Sequence, residues 1–83
     1  MKIADSELSN RAMALFKRAF SDGVTNIKGE EVREYLEFIF REKIEDDVLL
    51  RIITSFEDRK LLILDKNSFN LVFITENMIK EIS

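Results

Sequence analysis

Apolar side chains recur along this chain at intervals of three and four, a spacing that predicts helices over most of its length. Leu8, Ala12, Leu15, Phe16, Ala19 and Phe20 line one face of a first helix over about residues 6–20. Asp5 or Ser6 would open it, because their side-chain oxygens can accept from unpaired backbone N–H groups, and Gly23 lies just past its end. Val32, Tyr35, Leu36 and Ile39 give a second helix over about residues 30–41, with Glu30 and Glu31 favourably placed against the helix dipole. Phe38 and Phe40 widen its apolar area beyond one stripe, so another surface is required to cover them. A third helix begins near residues 45–47, where Glu45, Asp46 and Asp47 crowd its N-terminus, and carries Val48, Leu49, Ile52, Ile53 and Phe56. A fourth, capped by Asp65, would carry Phe69, Val72, Phe73 and Ile74 toward Met78 and Ile82.

Two of the connections share a hydrophobic frame. Phe56 and Phe69 bracket twelve residues with Leu64 at the eighth position, and Phe20 and Val32 bracket eleven with Ile27 in the matching place. A calcium-binding loop puts oxygen ligands at positions 1, 3, 5, 7 and 9, glycine at 6 and a bidentate glutamate at 12. Glu57 and Asp65 suit positions 1 and 9, but Arg59, Leu61, Leu62 and Ser68 occupy positions 3, 5, 6 and 12. The upstream loop keeps its terminal Glu31 and offers Ser21, Asp22, Thr25 and Asn26, yet it is one residue short, which throws those ligands out of register. Neither loop is expected to hold a metal, and no cofactor is implied.

On these paired frames the chain resembles the EF-hand superfamily, and more narrowly one lobe of calmodulin, over about residues 8–78. It is similar to the small single-lobe light chains of class I myosins. The resemblance implies an all-α fold in a single domain, residues 1–83. One pair of EF-hands, over about residues 6–41 and 45–82, would supply four helices, with a short antiparallel bridge between the loops near Ile27 and Leu64. It also implies a calcium-independent light chain that binds an amphipathic IQ-type helix of a myosin heavy chain and stiffens its neck. That target would lie against Phe16, Phe20, Leu36, Ile39 and Phe40 of the first hand and Ile52, Phe56, Val72, Phe73 and Met78 of the second. Glu34 and Glu37 would form an acidic rim for its arginines. Beyond the initiator only Met13 and Met78 are methionines, and stiffer Ile, Val and Phe favour one dedicated partner over many.

Residues 61–64 and 69–74 are also β-prone, and Asp65, Lys66, Asn67 and Ser68 make a credible turn between them. A β-hairpin after three helices would resemble a winged-helix domain. The net charge of −3 and the lack of an Arg/Lys-rich recognition helix weigh against that reading, as does the repeated frame. A self-associating helical assembly module is a further alternative.

Composition narrows the chemistry. The chain is 46% hydrophobic and 35% charged, with two Gly and no Pro, which suits short connections in one small domain that a partner's apolar contacts would stabilise. The acidic balance disfavours nonspecific nucleic-acid binding. With no His and no Cys, the usual imidazole base and thiol nucleophile are missing, and no serine has an activating neighbour in a recognisable arrangement, so catalysis is not expected. No apolar run is long enough for a membrane span and no signal-like N-terminus is seen, so the expectation is a soluble, cytoplasmic protein without direct membrane insertion.

Overall fold

The computed structural model describes residues 3–83. Among them, α1 (Asp5–Ser21), α2 (Gly29–Phe40) and α3 (Asp46–Asp58) follow the apolar periodicity, with β1 (Asn26–Lys28) inserted between the first two. Ala4, rather than Asp5 or Ser6, caps α1, and its carbonyl accepts from the Glu7 and Leu8 N–H groups. Asp5 is instead the first helical residue, where its carboxylate pairs with Arg51 of α3 at 2.7 Å. Gly23 sits at φ +89°, a left-handed backbone that suits glycine, and ends the turn after α1. Arg41, also left-handed at φ 54°, stops α2.

The last third of the chain departs from the helical expectation. Residues after α3 form β2 (Leu62–Asp65) and β3 (Asn70–Phe73), and only then does a short α4 (Thr75–Ile82) begin. With β1 these strands make an antiparallel three-stranded sheet in the order β1-β3-β2. The fold is therefore mixed α/β and not an all-α pair of EF-hands. The physical reason lies in residues 69–74, whose apolar positions fit either period. Leu71 and Phe73 are buried while Val72 between them is exposed, which is the alternation of a strand. Asp65 does not cap a helix; its Oδ1 accepts the Asn67 N–H at 3.0 Å and opens a tight turn. Phe69 follows at φ 51°, which no continuing right-handed helix allows.

The expected bridge between Ile27 and Leu64 is also replaced. Both residues pair with Leu71, Ile27 from one side and Leu64 from the other. The two frames are consequently not twin hands: the first supplies one strand and the second a hairpin. Helix, strand, two helices and a hairpin therefore precede α4, and the third strand is central in the sheet.

The core lies between the helices and the inner sheet face. Phe16, Phe56, Leu8, Leu36, Leu49, Leu71 and Met78 are almost fully buried there, each stabilising the fold by roughly 1.5–3 kcal/mol through apolar burial. Phe16 meets Phe56 edge-on at 5.1 Å and Phe73 at 5.6 Å, so α1, α3 and β3 share one aromatic junction. α4 is tied back by Arg59 to Glu81 at 3.2 Å and by the Asn77 amide, which donates to the Lys60 carbonyl at 2.7 Å.

Candidate functional site

Helix α3 buries Leu49, Ile52, Ile53 and Phe56, which leaves its opposite stripe facing outward. On that stripe Leu50, Thr54 and Glu57 follow one another at intervals of four and three, as one helical face requires. They form one wall of a groove of about 460 Å³, whose other wall is the hairpin: Leu64 from β2, Lys66 from the turn and Phe69 beyond it. Leu50 is 44% exposed and, with Leu64 and Phe69, gives the groove its apolar lining.

The groove walls are held by specific bonds. Glu57 Oε2 accepts the Leu64 N–H at 3.1 Å and so ties the last turn of α3 to β2. Phe69 is fixed from behind, because its carbonyl accepts the Gly29 N–H at 2.8 Å and its ring lies over Gly29. A β-carbon at Gly29 would collide with that ring, so glycine is what allows the hairpin to sit so close to α2.

The start of α3 is acidic and its nearby arginines are occupied. Arg33 of α2 bonds the Ile44 carbonyl, Glu30 and Asp46. Partial burial acts to lower its pKa, but hydrogen bonds and charge from Asp46 and Glu30 outweigh this and raise it above the ordinary arginine value. Arg51 is likewise raised, chiefly by its hydrogen bonds to Asp5. Arg59 is paired with Glu81 and lies over the Phe56 ring, 5.4 Å from its centre. Lys66 is the cation that lines the groove itself.

No protein-family model matches this chain, and neither a curated protein nor a solved structure is significantly similar to it.

The residues expected to grip a target helix are not gathered in one groove. Phe16, Leu36, Ile52, Phe56, Phe73 and Met78 are buried in the core. Phe20, Ile39 and Phe40 are half-buried, with Phe20 edge-on to Phe73 at 6.1 Å. Val72 is exposed on the outer sheet face, directly opposite Ile63 on β2. Of the two rim acids, Glu34 is exposed, whereas Glu37 is half-buried and accepts the Ile44 N–H at 2.8 Å. Phe38 remains 80% exposed, so nothing within the described chain covers it as its apolar character requires.

Glu57 and Asp65, the two acids that suited a calcium loop, both accept backbone N–H groups. Among the described residues no group of three His, Cys, Asp or Glu side chains could hold a metal ion. None of their helices is long and apolar enough to cross a membrane. Leu50 is the groove residue that the periodicity passed over. It falls off the buried stripe of α3, and a leucine on the wrong side of an amphipathic helix was the available signal.

Proposed function

We propose that this domain is a non-catalytic protein-binding module that takes an amphipathic helix of a partner into the groove between α3 and the β2–β3 hairpin. The observation that carries this reading is the chemistry of that groove. In helix-turn-helix proteins the second helix enters the major groove of DNA with its N-terminal residues at the base edges. The corresponding end of α3 carries Asp46 and Asp47, preceded by Glu45, and these repel phosphate where cations would attract it. Beyond them stand Leu50, Leu64 and Phe69, which gain by burial against apolar side chains.

Acids flank the apolar part of the α3 stripe at both ends, Asp46 and Asp47 before Leu50 and Glu57 and Asp58 after Thr54. A complementary partner therefore has apolar residues bordered by Arg or Lys, the chemistry of an IQ-type helix. The paired-hand lobe that would imply a class I myosin neck is not the observed fold, so the target is defined by its chemistry alone. Binding is independent of calcium, and a cytoplasmic setting accords with the absence of cysteine.

Titration calorimetry tests the reading with two probes, a helical peptide of leucines flanked by arginines and a random-sequence DNA duplex. The peptide is expected to bind equally well with calcium and with chelator, and Leu50→Asp is expected to abolish that binding. Duplex binding with a steep salt dependence and no peptide binding would overturn the proposal. A second reading, self-association, is favoured by the exposed pair Ile63 and Val72 on the outer sheet face. Sedimentation of the chain alone separates the two, since a stable dimer supports self-association and a monomer supports capture of another protein.

A further inference from the structure

We infer that Glu57 determines the shape of segment the groove accepts, by closing the free edge of β2 so that a helix can enter and a strand cannot pair. This rests on the groove being the binding site. In the order β1-β3-β2, β2 is an edge strand, and it forms one wall of the groove. Antiparallel pairing turns alternate residues toward and away from the neighbouring strand. The Leu64 N–H meets Glu57 rather than a β3 carbonyl, so Leu64 and, two residues earlier, Leu62 direct their backbone groups outward.

An unguarded outward N–H beside apolar walls is a template for another strand. Here Leu50 and Phe69 would cover the side chains of such a strand while β2 supplied its hydrogen bonds. The carboxylate of Glu57 takes the Leu64 donor at 3.1 Å and stands where an incoming carbonyl would have to lie. An added strand would lose that bond or leave its own carbonyl facing a carboxylate. An incoming helix satisfies its backbone internally and needs nothing from β2, so the same residue leaves it unhindered.

Glu37 makes the same reach to Ile44, at a corner between helices where there is no strand edge. The bond itself is thus a way this chain closes the exit from a helix. Its effect on partner shape arises only at Glu57, because only there does the accepted N–H belong to an edge strand. Glu57 acts through Leu64 and is a positioning residue for the groove.

The experiment uses the whole chain in four forms: wild type, Glu57→Gln, which keeps an acceptor, and Glu57→Ala and Glu57→Met, which do not. Glu57→Met retains the side-chain length and serves if the alanine variant fails to fold. Hydrogen exchange at the Leu64 amide should be roughly tenfold faster in the variants without an acceptor, and close to wild type in Glu57→Gln. Those same variants should gain binding of an extended, lysine-capped Val-Thr peptide or pair with a second copy through β2, which sedimentation reads. Unchanged Leu64 exchange together with no gain of strand pairing would overturn the inference. An extended peptide that binds wild type as well as the variants would also overturn it. Failure of wild type to bind the arginine-flanked helix counts against the groove reading, whereas the edge guard stands or falls on exchange and strand pairing.

Discussion

Leaving α2, the chain turns through residues 41–45 and Glu37 reaches seven residues ahead to accept the Ile44 N–H at 2.8 Å. Leaving α3, it turns through residues 59–61 and Glu57 reaches seven ahead to Leu64 at 3.1 Å. The two junctions share a device but not a setting. The first is backed by Arg33, whose side chain is only 16% exposed and which bonds the Ile44 carbonyl, Asp46 and Glu30 together. Ile44 is buried beneath it. The second opens onto a groove in which Leu50 is exposed and Phe69 half-buried. A corner with its polar groups paired and its apolar residue covered serves stability. One that leaves an exposed leucine beside a half-buried phenylalanine has apolar area still to bury, which is what the proposed partner would cover.

Substitutions can break or sharpen this contrast. The largest effect is expected from Phe56→Ala, because α3 carries one junction at each end and Phe56 anchors it to Phe16. It should destabilise the fold by about 3–5 kcal/mol in urea unfolding. Arg33→Ala strips the first junction of its cation, leaving the Ile44 carbonyl and Asp46 without their partner, and should cost about 1–3 kcal/mol. Arg33→Lys should recover little of that, since an ammonium cannot reproduce a planar fork that serves three acceptors. Glu37→Ala should cost about 1–1.5 kcal/mol, and Glu57→Ala about half as much, because water in the open groove can reach the Leu64 N–H. Equal costs for the two glutamates would erase the distinction. Leu50→Asp should shift stability by no more than about 0.5 kcal/mol while removing peptide binding altogether.

Much of the helical half is legible in the sequence. The α1, α2 and α3 stripes obey a period that only a helix satisfies, and Gly23, just past the first stripe, takes the left-handed backbone that a glycine there allows. Residues 69–74 were ambiguous for a physical reason: Phe69, Val72 and Phe73 satisfy helical spacing, while Leu71 and Phe73 satisfy strand spacing. Their aromatic and β-branched character, with the turn at Asp65, favours the strand, against which stand the acidic net charge, the lack of an Arg/Lys-rich recognition helix and the repeated frame. Charge bears on partners and solubility and says little about fold.

The paired frames misled for a related reason. An aromatic at a helix end, an aliphatic residue in the following strand and an apolar residue early in the next element occur here at α1–β1–α2 and again at α3–β2–β3, so the pattern is met by helix followed by strand. The spacing was real, but Ile27 and Leu64 were each paired with Leu71 and not with each other. The groove was the least legible feature, since it depends on where the hairpin comes to rest against α3. Leu50 and Phe69 stand nineteen positions apart in the sequence and line one wall each.

The central claim is that the α3–hairpin groove receives a protein helix. Backbone amide shift mapping of the isotope-labelled chain, titrated with the arginine-flanked helical peptide, tests it most directly. The account predicts that the largest shifts fall on Leu50, Thr54, Leu64 and Phe69, with the outer sheet pair Ile63 and Val72 little changed. Shifts centred on Ile63 and Val72, or on Phe38 of α2, with the groove silent, would contradict it.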